Sequence, residues 1–67
     1  MKIFAERLKE LRKDKNVSIL KLSKELGVSD TTVGRWEKGS IIPTIDNLKN
    51  IAIYFGVSAD YLIGLED

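Results

Sequence analysis

Apolar positions recur along the chain at intervals of three and four, in five runs separated by short polar breaks. The first run puts Ile3, Phe4, Leu8 and Leu11 on one side, with Lys2, Glu6, Arg7, Lys9, Glu10 and Lys13 between them. That spacing predicts an amphipathic helix over about 3–15. Asn16 is a suitable stop, because asparagine tolerates the left-handed conformation. Val17 is expected to tuck into the core at the corner.

A second helix is predicted over 19–26 and a third over 30–37, divided only by Gly27-Val28-Ser29. Leu22 and Leu26 share one face, as do Val33 and Trp36. Gly27 can take the positive φ that ends a helix cheaply, and Ser29 can accept from the free amides of the next one. Ser18 is placed to cap the second helix. The reciprocal bond of a capping box is missing, since Lys21 stands where Glu or Gln would be needed. Small Ser23 leaves room for the two helices to cross. Ile19 and Leu20 cannot both be buried on so short a helix, so one is expected against the first helix and the other in solvent.

Lys38-Gly39-Ser40 closes the third helix, and Ile41-Ile42-Pro43 reads as an extended connection. Thr44 caps a fourth helix over 45–55, with Asp46 in its first turn and an apolar stripe of Ile45, Leu48, Ile51, Ala52 and Phe55. Gly56 ends it. Val57-Ser58 then open a short fifth helix over 59–63, followed by Gly64. Nothing reads as strand or repeat. The expectation is an all-α fold: five short helices around one core, a single domain over 1–67.

Composition narrows the chemistry. At 67 residues the chain is near the lower limit for an unsupported core, and it has no cysteine to staple one. Without cysteine or histidine there is no thiol- or imidazole-bound metal, and the ten acids are dispersed, so no cofactor is expected. No nucleophile–base constellation or glycine-rich phosphate loop is present, which argues against an enzyme. No apolar run approaches the ~20 residues that span a bilayer, and no signal peptide opens the chain; the cytoplasm is the expected location.

The two short helices joined through Gly27 and Ser29 have the spacing of a helix-turn-helix, which leaves its second helix prominent. The exposed positions there are Asp30, Thr31, Thr32, Gly34, Arg35 and Lys38, with no large apolar group among them. Such a face suits hydrogen bonds to phosphates and base edges, although a merely solvated helix reads the same way. Net charge is only +1, but it is polarised: residues 1–40 carry +4 and residues 41–67 carry −3. The basic half can turn towards a polyanion. The competing reading keeps the scaffold as a protein-interaction module, with Ile19 and Leu20 in an apolar contact.

The segments RLKELRKDK, LSKELGVSDTTVGRWEKG and PTIDNLKNIAIYFGVSADYLIG, in that order, resemble the phage repressor and Cro type of helix-turn-helix, the XRE family, over about Phe4 to Leu65. The resemblance implies a compact lambda-repressor-like domain whose helix from Asp30 lies in the DNA major groove. Asp30, Thr31, Gly34 and Arg35 then match base-facing positions, and Thr32 and Lys38 lie near phosphates. Ser29, Ser40, Thr44 and Asn47 join them as phosphate contacts. Arg12 and Glu37 match a structural ion pair, while Trp36 belongs to the core. The implied function is transcriptional regulation, most naturally repression, by a weak homodimer reinforced on double-stranded DNA. Its contact lies around Ile42, Ala59, Leu62, Ile63 and Leu65, and its two copies read a near-palindrome with half-sites roughly 34 Å apart. Two positions depart from the pattern. Ile19 stands where the family usually has glutamine, and Lys21 replaces an acid, adding a possible phosphate contact.

Overall fold

Capping divides this chain into its helices. In the computed structural model, which describes residues 1–67, they are α1 (Lys2–Asp14), α2 (Ile19–Leu26), α3 (Asp30–Lys38), α4 (Ile45–Phe55) and α5 (Ala59–Ile63). Ser18, Ser29, Thr44 and Ser58 sit at the N-caps of α2 to α5, each accepting from the amide three residues on. A cap of this kind is worth about 1 kcal/mol. The same four helices each end at a glycine in the left-handed region. At Gly27 (φ 70) this matters most, because any other residue there would strain the turn that aims α3. α1 is the exception: its cap, Met1, offers no side-chain bond, and its chain reverses at Asn16 (φ 64). The reversal begins at Lys15, so α1 lies one residue earlier at each end than the spacing predicts, and α3 runs on to include Lys38.

Every helix contributes to one core: Phe4 and Leu8 from α1, Leu22 from α2, Val33 and Trp36 from α3, Ile51 and Ala52 from α4, and Leu62 from α5. α1 packs on α3 and α5, α2 on α3 and α4, and α4 on α5. Each large apolar side chain fully withdrawn from water contributes about 1.5–3 kcal/mol against the entropy of ordering the chain. Val17 is half-buried at the corner, and Ser23 is buried with its hydroxyl donating to the Leu20 carbonyl at 2.7 Å. Ile19 packs against the core, whereas Leu20 stays exposed.

Two expectations are corrected. Ile45 does not belong to the buried stripe of α4; it is 85% exposed. Helical side chains lean towards the N-terminus, so a first-turn residue reaches beyond the end of its own helix, here past the edge of the core. Leu62, expected at a contact between copies, is fully buried as the inward residue of α5. Its neighbours Ala59 and Ile63 are half-buried, and Leu65 and Ile42 are exposed.

The C-terminal turn is held to α1 by Arg7. Its guanidinium lies 4.2 Å from the centre of the Tyr61 ring and donates to the carbonyls of Tyr61 and, at 2.7 Å, Glu66. No helix is long and apolar enough to cross a membrane.

Candidate nucleic-acid interface

α3 divides its side chains cleanly. Val33 and Trp36 are buried, and on the opposite face Asp30, Thr31, Arg35 and Lys38 are exposed, with Gly34 half-exposed between them. The apolar half anchors the helix while the polar half stands free. Near the start of α3, Ser29 Oγ accepts from the Thr32 amide at 3.1 Å and lies 2.8 Å from Thr32 Oγ1. Asp30 Oδ1 accepts from the Thr31 amide at 2.8 Å. Its carboxylate is thus held at the positive end of the helix, where a negative charge is favourable. Arg35 makes no hydrogen bond or salt bridge within the chain, so its fork of donors is free for an outside partner.

Arg12 and Glu37 fix the far end of α3. Arg12 Nε donates to Glu37 Oε2 at 2.6 Å and Nη2 to Oε1 at 3.1 Å, with the side chains 13% and 6% exposed. A third bond from Nη1 reaches the Val17 carbonyl at 3.0 Å. One side chain therefore joins α1, the corner before α2, and α3. Sequence reasoning paired Arg12 with Glu37 through the family pattern, but it carried no signal for the bond to Val17. Glu37's hydrogen bond lifts the Arg12 pKa above the ordinary guanidinium value, outweighing partial burial. A raised folded-state value gives stability that is fully present below the unfolded pKa and lost only as pH climbs through the folded one. For Arg12 that window lies in strong alkali, so the clamp is constant at any ordinary pH.

The remaining nominated residues flank this face unevenly. Lys21 pairs with Glu25 at 2.9 Å on exposed α2, and that carboxylate's hydrogen bond raises its pKa. Glu25 must give way before Lys21 can meet a phosphate. Thr44 Oγ1 accepts from the Asn47 amide at 3.1 Å, which leaves its hydroxyl proton free to donate. Ser40 is exposed, and Asn47 is half-buried. An open depression of about 600 Å³ lies between the starts of α2 and α3, bordered by Ser18, Leu20 and Thr31. Ile19 is at its edge but is committed to the core, so the exposed apolar contribution here is Leu20 alone. A single exposed leucine is ordinary on a soluble surface. Ile42 and Ile63, by contrast, help to line a separate apolar recess of about 120 Å³ with Met1, Phe4, Pro43 and Leu48.

Comparison with known proteins agrees with this geometry. A family model described as helix-turn-helix matches residues 8–62. The chain is 38% identical over 64 residues to the HTH-type transcriptional activator BcrR of Enterococcus faecalis, covering 96% of this chain and 31% of that protein. It is 39% identical over 59 residues to the cryptic phage CTXphi transcriptional repressor RstR of Vibrio cholerae, covering 88% of this chain and 53% of that one. Among solved structures, the P22 c2 repressor protein in complex with a synthetic operator superposes with a TM-score of 0.87 at 29% identity, over 92% of this chain and 94% of that chain. The chain spans between about a third and about three fifths of the length of the curated relatives it matches.

Proposed function

From the premise that this chain belongs to the helix-turn-helix family, we propose that residues 1–67 form one DNA-binding domain of a cytoplasmic transcriptional regulator that reads double-stranded DNA by sequence. The observation that carries this is the outer face of α3: short polar side chains, a free Arg35 and no large apolar group, on a helix locked from behind by Trp36 and the Arg12–Glu37 clamp. Arg35 is the principal base reader, because its planar fork can grip guanine O6 and N7 together. Thr31 meets a thymine methyl or a base edge, and Asp30 accepts from a cytosine amino group or supports the helix start. Gly34 admits close approach without reading. Ser29, Thr32, Lys38, Ser40, Thr44 and Asn47 hold phosphates, joined by Lys21 once it leaves Glu25.

The protein acts as a repressor in this reading, although one relative is named an activator and another a repressor. Two copies bind a near-palindrome, joined weakly through Ile42, Ala59, Ile63 and Leu65 and reinforced by the DNA; burial takes Leu62 out of that surface. It is not an enzyme.

The test is selection of bound sequences from a randomised duplex pool, followed by affinity against salt for wild type and Arg35→Ala. The expected result is a near-palindromic winner and a steep salt slope. Arg35→Ala should relax the sequence preference and cost about 1–3 kcal/mol per half-site, with its unfolding midpoint unchanged. Equal, weak binding to all sequences by the wild type would sink the reading.

A further inference from the structure

The groove between α1 and α3 holds more positive charge than the fold uses. It has a volume of about 360 Å³, with Lys9 and Lys13 on the α1 side, Gly34 and Lys38 on the α3 side, Ile19 at its margin and the Arg12–Glu37 pair between. Glu37 is the one acid there, and both its oxygens accept from Arg12, so that pair is neutral as a unit. The ion pairs of the chain are Arg12–Glu37 and Lys21–Glu25; Lys9, Lys13 and Lys38 take part in neither. Three lysines therefore border one groove without forming an ion pair in the chain, although Glu6 and Glu10 lie one turn before Lys9 and Lys13 on α1.

Gly34 gives a second, independent observation. It lies inside α3 without a positive φ, and a Cβ placed on it would meet nothing within 4 Å. A glycine within a helix is unfavourable, and here neither backbone strain nor packing accounts for it. What the missing side chain does is keep the wall of the groove low where α3 faces α1.

We propose that this groove seats one backbone phosphate of the bound duplex, at the flank of the half-site, held by Lys9, Lys13 and Lys38. The proposal rests on the DNA-binding reading above and extends the contact surface onto α1. A duplex is the occupant because Lys38 belongs both to the outer face of α3 and to the groove, so a strand following that face passes over the three lysines. Lysines act as point charges on flexible stems, which suits an anion whose position matters and whose base does not. Ile19 at the margin offers no competing hydrogen bond.

The experiment compares wild type with the Lys9→Gln/Lys13→Gln double variant on the selected operator, and on operators carrying a single neutral methylphosphonate stepped along the flank. Both lysines are exposed and outside the ion pairs, so the variant should unfold at the wild-type midpoint. It should keep the sequence preference of wild type, with a log affinity against log salt slope shallower by up to about 0.9 per half-site, the value for one phosphate lost in each copy. One flanking methylphosphonate should weaken wild type several-fold and the double variant clearly less, since only Lys38 remains to meet that phosphate. An unaltered slope, or equal methylphosphonate penalties in both proteins at every position, overturns the groove while specific binding by wild type keeps the DNA reading intact. If wild type shows neither sequence preference nor salt-dependent duplex binding, the DNA reading fails and the groove falls with it.

Discussion

The α2–α3 pair and the α4–α5 pair are built by the same local rules and present opposite surfaces. Each pair is delimited by serine or threonine N-caps and left-handed glycines, and each sends its apolar residues into the same core. Outside, α3 shows Thr31, Arg35 and Lys38, whereas α4 shows Ile45 and Ile53, at 85% and 68% exposure, with Ile42 exposed before α4 and Leu65 after α5. Caps and inward residues determine where the helices lie. The outward residues, which the fold scarcely constrains, determine what each half can meet.

Both pairs depend most on the core they share. Leu62→Ala should cost about 2–5 kcal/mol, since it removes the inward anchor of a five-residue helix and leaves a cavity. A chain of this size has roughly 3–10 kcal/mol in total, so urea unfolding should show a large loss and both halves should melt together. Glu37→Ala acts on the first pair alone. It strands the Arg12 guanidinium, which keeps only its bond to Val17 and slight solvent access, and a loss of about 2–3 kcal/mol is expected by the same measurement. If that variant matched wild type, the clamp would not be what holds α3 in place.

Substitutions outside the core have smaller effects. Gly34→Ala should raise the unfolding free energy by about 0.5–1 kcal/mol, because the added methyl has open space and helix propensity improves. The same change should weaken operator binding, so stability and affinity move in opposite directions. Leu65→Ser, just beyond the end of α5, should shift stability by no more than about 0.5 kcal/mol. Its measurable effect is reduced self-association in sedimentation at high concentration; a loss of about 2 kcal/mol of fold stability would mean instead that Leu65 is packed within its own chain.

These outcomes also mark what the sequence made readable. Cap residues and glycines act through neighbours three to five residues away, so Ser18, Ser29, Thr44 and Gly27 announced the helix ends directly. The Val33–Trp36 face was equally plain, because two large apolar residues three apart in a polar helix have one place to go. Ile45 was misplaced because periodicity gives the direction of a side chain and not whether another element waits there. Leu62 was assigned outward for the opposite reason: on a five-residue helix every apolar position looks alike until α1 packs against it. The groove bounded by Lys9 and Lys13 was out of reach, since it exists only once the C-terminal end of α1 lies beside that of α3. The KELRK run that supplies its α1 side looks like any solvated helix face.

Trp36 is the one tryptophan of the chain, and it is buried directly behind the helix that faces outward. That makes the molecule its own optical gauge. Indole emission should be blue-shifted in the native state and move to the red on unfolding, since the ring passes from the core into water. A duplex laid against α3 meets the opposite side of the helix and cannot stack on the indole. Emission should therefore report the integrity of the scaffold while staying nearly silent to occupancy, so folding and binding can be followed separately in one unlabelled sample.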